Sequence, residues 1–449
     1  MIISKSKYMK GLQCHKLLWT ICNAADSVPE ADAATQALFN DGEEVGELAQ
    51  SLFPKGLLVD REGGCGEMIK KTQSLLAERK PIFEASFSFG GVYAQADILN
   101  PVEDGKWDII EVKMTTGVKP QHIQDVALQR HCYEGAGLPI RNCHLMHINN
   151  QYVRRGGLDA TALLAIEDVT GKVITEAVGI PDRIAEMHRV TELKECPEVE
   201  MGSQCSYPYP CLLLPQCSEA AGKENFVAPP AGEMEYDAEG IRKFLANLVY
   251  PLYLLDFETF MRAIPQFDGS WPYMQTPFQF SLQVVECLNS KPVSHSWLWD
   301  GVGDPRSFML SRLRELIADS GSVMTYNKCF EEGRLNQSAA AFPEHKVFVQ
   351  GLMPRMVDLI VPFRSKIIRH PAQNGSNSLK AVLPALTGAG YEDLEIQDGN
   401  TASAEFLRSN SGDLPADERS DIRIRLEKYC DRDTMGMLHI LQRLASLAG

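Results

Sequence analysis

The chain contains no apolar run long enough to span a membrane, and its first residues, MIISKSKYMK, lack the apolar block of a secretory signal. The expected compartment is therefore the cytoplasm, with no membrane partner. No internal repeat or low-complexity tract is present, and 449 residues suffice for two or three domains with separate cores. Positive charge is also short: 44 Lys and Arg stand against 59 Asp and Glu, a net charge of −15. That balance argues against a surface coated for nucleic-acid binding, but it does not exclude a nuclease, whose metal sites are themselves acidic. Two local basic stretches, Lys5-Lys7-Lys10 and Arg364-Lys366-Arg369, read as solvated faces rather than phosphate tracks.

Twelve cysteines in a reducing compartment are not expected to form disulfides. Cys143 and Cys287, inside apolar runs, read as small buried residues. Cys205, Cys211 and Cys217 do not, because they stand six positions apart in MGSQCSYPYPCLLLPQCSEA with prolines between them. Three evenly spaced thiols are one ligand short of a tetrahedral metal site.

Residues 223–246, rich in Ala, Gly, Pro and Glu, read as a linker between domains at 1–222 and 247–449. In the first domain the pattern predicts a helix over 34–52 and strands at FEASFSF, GVYAQADIL and WDIIEVK. The last two are joined as a hairpin through EDGK. A helix over about 120–135 and a strand at CHLMHIN follow. In the second domain strands are expected at 249–257, FQFSLQVVEC and SVMTY, with helices near 305–319 and 416–446. The fold class is α/β in both halves.

Glu111 and Lys113 share one face of their strand, and the hairpin brings Asp97 alongside. Two adjacent carboxylates repel unless a cation such as Mg²⁺ or Mn²⁺ neutralises them, and such an ion polarises phosphate and activates water. Gln129 and Tyr133 share a face of the next helix. An ordinary solvent-facing Glu/Lys pair is the alternative for the strand motif alone. In the second half, Asp256 and Glu258 end a buried strand in YLLDFETF and aim the same way. Tyr429 and Asp433 converge on one face of the final helix.

The order Asp97, Glu111-Val-Lys113, Gln129-xxx-Tyr133 resembles the PD-(D/E)xK nucleases of the RecB type, and among them the iron–sulfur branch. The resemblance implies a restriction-endonuclease-like fold with one cysteine before the core and three after it. Cys14, Cys205, Cys211 and Cys217 would then bind a [4Fe–4S] cluster, with zinc the chemical rival. The metal-binding histidine usual on an early helix is missing, and Glu43, Glu44 or Glu47 stand in its region. Glu84, in IFEASF, is either a further acid near the site or an exposed strand glutamate.

TYNKCFEEGRL resembles the second motif of DnaQ-like 3′→5′ exonucleases, with Asn327, Phe330, Glu331 and Leu335 in its places. Glu331 departs from the usual Asp. EKYCDRDTMGML resembles their closing YxxxD motif. This similarity implies an RNase H-like domain in which Asp256, Glu258, Glu331 and Asp433 hold two divalent metals and Tyr429 orients the nucleophile. Asp358 resembles a structural aspartate. Nearly the whole chain is similar to a bacterial family that joins these two domains under an unknown-function label. The implied activity is a metal-dependent DNA nuclease on single-stranded or end-bearing DNA. A nucleic-acid-binding adaptor with lapsed sites and a structural zinc protein are the rivals. Trp271, Tyr273 and Phe278 are candidates for base stacking or for the core.

Overall fold

The computed structural model of the chain describes residues 2–29, 33–221, 233–410, 412 and 414–449. The chain divides into two compact units, one built largely from residues up to 225 and the other largely from those after it. Both are mixed α/β. Among the described residues no helix is long and apolar enough to cross a membrane.

The first unit holds strands β1 (Ile3–Ser4), β2 (Leu57–Leu58), β3 (Ile82–Phe89), β4 (Val92–Pro101), β5 (Trp107–Lys113), β6 (Ile140–Ile148) and β7 (Leu164–Asp168). They form one sheet in the order β2-β3-β4-β5-β6-β7, with β1 paired to β4. The run β3-β4-β5 is antiparallel, as expected for strands joined by short turns. The sheet then turns parallel at β6, because the helix Pro120–Gly135 carries the chain back across it. Proline at the start of that helix costs no hydrogen bond, and Gly137, at φ +90°, ends the turn where Leu138 N–H bonds Tyr133 C=O at 3.0 Å. Val126, Leu128 and Tyr133 on this helix pack against Ala85, Ala94 and Ile109 of the sheet.

Two further helices, Lys5–Gln13 and His15–Asn23, open the chain and were not foreseen from periodicity. They bury Tyr8 and Leu18 in the same core. The basic stretch Lys5-Lys7-Lys10 is therefore not a uniformly solvated face, since Lys5 reaches the site described below.

The second unit holds β8 (Glu235–Tyr236), β9 (Leu252–Phe260), β10 (Thr276–Val285), β11 (Val293–Leu298), β12 (Ser322–Thr325), β13 (Met356–Asp358) and β14 (Ile368–Arg369). Five of them form a sheet in the order β11-β10-β9-β12-β13, and β14 pairs β8 separately. β9, β10 and β11 are antiparallel, whereas β12 and β13 run parallel to β9. Both faces of the sheet are covered. Leu252, Leu254 and Phe260 face the core that includes Ile422, Leu426 and Met437 of the closing helix Ala416–Ala448. Tyr253, Leu255 and Phe257 face Met309, Leu310 and Leu313 of the helix Pro305–Leu316. Alternation along β9 thus sorts its side chains into two cores, and on the face of Leu252, Leu254 and Phe260 only Asp256 and Glu258 break the apolar row.

Two expectations change here, and one open alternative is settled. The expected linker lies partly outside the described residues, but its end is folded: Ala238–Ala246 is a helix capped by Asp237 with Ile241 buried in the core. Cys287 is exposed, because β10 stops at Val285 and Cys287 opens a turn closed by Ser290 N–H to Cys287 C=O at 2.9 Å. Phe278 belongs to the core, stacked on Phe406 with ring centroids 3.9 Å apart, and is not available to a base.

Candidate functional site

In the second unit, four acids converge as the sequence predicts. Asp256 and Glu258 lie on β9, Glu331 on the helix Lys328–Ala341, and Asp433 on the closing helix. With Tyr429 and Lys380 they line one open cleft of about 280 Å³. Asn327 starts the Lys328–Ala341 helix at φ +71°. Asp358 holds that turn by accepting the backbone N–H groups of Asn327 at 3.0 Å and Ile360 at 3.1 Å. Asp358 is therefore structural, as expected.

The electrostatics of the cleft are those of crowded acids. Burial, followed by the neighbouring Asp433, pushes Asp256 far above the usual carboxylate range. Glu258 is driven up by burial and then by Asp256 and Asp433. Burial and Asp256 push Glu331 up to about 10, and its Oε2 is buried without a hydrogen-bond partner. Asp433 is pushed up to about 6, chiefly by burial, although the Tyr391 hydroxyl donates to it and Lys380 and Arg432 draw it down. Lys380 hangs over the rings of Tyr391 and Tyr429 at 5.6 and 5.3 Å. Burial and the same acids drive the Tyr429 hydroxyl upward, so it stays protonated.

Among the described residues, one group of three ligand atoms lies within 4.8 Å of one another: an oxygen each from Asp256 and Glu258, and the Cys430 sulfur. A dense set of buried oxygens with an unpartnered Glu331 oxygen beside it fits a hard divalent cation. Lys380, Tyr391 and Cys430 were missed from sequence. Cys430 was within reach, lying between Tyr429 and Asp433, but Lys380 and Tyr391 sit in segments with no carboxylate motif.

The first unit also assembles its predicted residues, with a different outcome. Glu111 is buried, and both its oxygens are taken. Oε1 accepts from Lys5 at 2.8 Å and Lys113 at 2.6 Å, and Oε2 accepts from Gln129 at 2.6 Å. Asp125 joins them, accepting from Lys113 at 2.7 Å and Gln129 at 3.0 Å, with Lys5 3.4 Å away. Asp97 accepts the backbone N–H of Val112 at 2.6 Å. Tyr133 does not reach the acids; its hydroxyl donates to Ala85 C=O and accepts from Ala96 N–H at 2.9 Å, tying the helix to β3 and β4.

Burial, then Asp125 and Asp97, push Glu111 up to about 7. Burial opposes the charge of Asp125, but Lys113 and Lys5 outweigh it and hold that carboxyl well below its usual range. Burial likewise opposes the charge on Lys5, yet Asp125 and Glu111 raise it above its ordinary value. Two carboxylates, Glu111 and Asp125, are thus cross-linked by two ammonium groups and an amide, with Asp97 beside them on a backbone N–H. As placed, these residues do not fit a divalent ion, because a cation of the protein's own already bridges Glu111 and Asp125. Glu84 accepts from Gln95 at 2.6 Å, while Glu43 and Glu47 are exposed on the Ala33–Ser51 helix. Asp125 was legible but unread: it stands four residues before Gln129 and eight before Tyr133, on one helical face.

Cys14, Cys205, Cys211 and Cys217 line one small cavity in the first unit. Cys14 sits between the two opening helices, and Gln13 clamps the later segment by donating to Gln204 C=O at 2.9 Å and Tyr209 C=O at 2.7 Å. Burial pushes the Cys211 thiol up, and the other three cysteines add to it. Leu17 and Leu213 pack beside Cys211.

Residues 253–378 match a family described as a domain of unknown function, DUF2779; this stretch contains Asp256, Glu258 and Glu331 but not Tyr429 or Asp433. The chain is similar to an uncharacterized protein of Mycoplasma pneumoniae, 28% identical over 204 residues, and to one of Mycoplasma genitalium, 28% identical over 205 residues. Each alignment covers 41% of this chain and 31% of the relative, so the chain matches less than a third of the length of these curated relatives. A solved structure titled "Crystal structure of SSO0001" is 12% identical, with coverage of 47% of this chain and 83% of its own and a TM-score of 0.24.

Proposed function

We propose that the chain is a metal-dependent nuclease that hydrolyses phosphodiester bonds in single-stranded or end-bearing DNA, with the hydrolytic chemistry in the second unit. The observation that carries this reading is the convergence of Asp256, Glu258, Glu331 and Asp433 on one cleft that also holds Lys380. Acids packed this closely oppose folding unless a cation joins them. The RNase H-like resemblance is supported by a central β9, antiparallel to β10 and parallel to β12, that delivers two of the acids toward the closing helix.

Asp256, Glu258, Glu331 and Asp433 would hold Mg²⁺ or Mn²⁺, which when bound polarises the phosphate and lowers the pKa of water. The Tyr391 hydroxyl fixes the Asp433 carboxylate by donating to it. Tyr429, still protonated, offers a hydroxyl donor at the cleft to orient a water. Lys380 supplies positive charge where a phosphate oxyanion develops.

For the first unit, the lysine-bridged network favours a binding or supporting role over metal-dependent hydrolysis. We propose that its four cysteines bind a [4Fe–4S] cluster. The four cysteines share one small cavity, and the resemblance to the iron–sulfur branch is what favours the cluster over zinc. The deciding experiment is an end-labelled assay on single- and double-stranded DNA and RNA with Mg²⁺ or Mn²⁺. Asp256→Ala should abolish cleavage, whereas Lys113→Ala should leave it largely intact. Cleavage that survives Asp256→Ala would remove the second unit from the chemistry.

A further inference from the structure

Beside the carboxylate cleft, the second unit has a larger cavity of about 400 Å³, lined by Arg364, Lys366, Arg369 and His370. The two share a wall. Arg364 Nη2 donates to Asn327 Oδ1 at 3.2 Å, and Asn327 lines the cleft. The Tyr326 hydroxyl, also of the cleft, donates at 2.7 Å to the C=O of Asn377, which lines the larger cavity. Arg364, Lys366 and Arg369 are exposed, and none of the three is in an ion pair with an acid among the described residues.

In a chain of net charge −15, three cations without a partner acid at one cavity call for an anion from outside. Glu233 and Glu235 line the same cavity, so its positive charge is partial. An isolated, doubly charged anion trapped between those carboxylates is therefore disfavoured. A singly charged phosphodiester that runs past along the basic side suits the arrangement better. Lys380 in the adjoining cleft continues the positive line toward the acids.

We propose that this cavity is a phosphodiester-binding station that holds the backbone of a single nucleic-acid strand whose end enters the carboxylate cleft. The basic stretch Arg364-Lys366-Arg369 is then a phosphate track and not the solvated face expected from sequence. The proposal rests on the nuclease reading for what happens at the strand's end, but the binding itself is measurable without hydrolysis.

The test is fluorescence anisotropy of a labelled oligothymidylate, in EDTA, over a salt series. Its partners are an oligouridylate of equal length and the variants Arg364→Ala/Arg369→Ala, Lys366→Glu and Asp256→Ala. The station predicts about tenfold weaker binding for the double variant, and a slope of log affinity against log salt shallower by about 1.4, or 0.7 for each of two phosphates lost. Lys366→Glu, at an exposed position, should also weaken binding while its circular dichroism matches the parent. Glu235→Gln should tighten it. Asp256→Ala should bind about as well as the parent, because Asp256 lies in the cleft and not on the basic track.

Equal affinity and slope for the parent, the double variant and Lys366→Glu would overturn the station even if the parent cuts DNA. Arginine-dependent binding by a parent that cuts nothing would sustain the station and defeat the nuclease reading. The oligouridylate shows whether the track takes RNA as readily as DNA.

Discussion

Asp433→Asn tests the central physical claim, that the second unit carries an unbalanced acidic charge at neutral pH. The Asp433 carboxyl is raised from 3.8 to about 6, first by burial. Between those values the folded protein holds a proton that the unfolded chain has released, so stability is lost as pH rises from about 4 through about 6. At about 1.4 kcal/mol per pH unit, that rise corresponds to ~3 kcal/mol missing at pH 7.5 in metal-free protein. Asp256 and Glu258 are pushed the same way and add to the loss.

Asparagine keeps the shape of the side chain and an oxygen to accept from Tyr391, and it removes the charge. In EDTA at pH 7.5 the variant should therefore be more stable than the parent by about 3 kcal/mol, a Tm rise of roughly 6–12 °C for a unit of this size. At pH 5 the gap should shrink sharply. Mn²⁺ at pH 7.5 should raise the parent's Tm more than the variant's, since metal replaces the proton as counter-charge. Tryptophan fluorescence can follow the transition, because Trp271, Trp297 and Trp299 lie in the second unit. An Asn variant less stable than the parent in EDTA, or a gap that is the same at pH 5 and 7.5, would refute the reasoning.

In the first unit, Lys5→Met leaves Glu111 and Asp125 with one ammonium between them. It should cost about 2–3 kcal/mol in urea unfolding, and in an Asp256→Ala/Asp433→Ala background it should create Mn²⁺ binding detectable by electron paramagnetic resonance. Unchanged stability with no new binding would show that Lys5 does not hold the site. Cys211→Ser should lower bound iron and acid-labile sulfide and destabilise the first unit, while cleavage that depends on Asp256 persists. Full iron content in that variant, or zinc in place of iron in the parent, contradicts the cluster assignment. Gly321→Ala forces a side chain into φ +94°, with its Cβ 2.2 Å from the carbonyl oxygen of Pro251. A loss of about 2–4 kcal/mol is expected at that residue, just before β12, and an unshifted urea midpoint would count against the close approach.

What was legible in the sequence was what repeats locally. The strands that carry Asp256-x-Glu258 and Glu111-x-Lys113 were visible because two-residue periodicity places both polar groups on one face of an otherwise apolar run. The pairs Gln129/Tyr133 and Tyr429/Asp433 were visible through the four-residue spacing of a helix face. Tyr133 shows the limit of that rule, since sharing the face with Gln129 placed it on the sheet backbone and not on the acids. Lys5 was misread because its only local context is a short basic stretch, while its partner Glu111 stands 106 positions away. Asp433 meets Tyr391 across 42 positions, and no motif links them.

These distant groups decide the chemistry. Both units build their candidate site in the same way, with acid positions on a strand and polar side chains on a helix packed across it. From the strand motif alone each is a metal site of equal merit. The first unit then supplies Lys5 and Lys113 against Asp97, Glu111 and Asp125, close enough for an ammonium to occupy both Glu111 and Asp125. The second supplies Lys380 against Asp256, Glu258, Glu331 and Asp433, and that lysine lies over aromatic rings rather than in an ion pair with any of them among the described residues. An acid already bridged by lysine gains little from a metal, because the metal must first displace the ammonium. An acid left with like charges for neighbours gains the full attraction. Counting the counter-charge brought in by distant segments therefore separates two sites that their local motifs make look alike, and under the proposed nuclease reading it is the second unit's acids that a divalent cation would join.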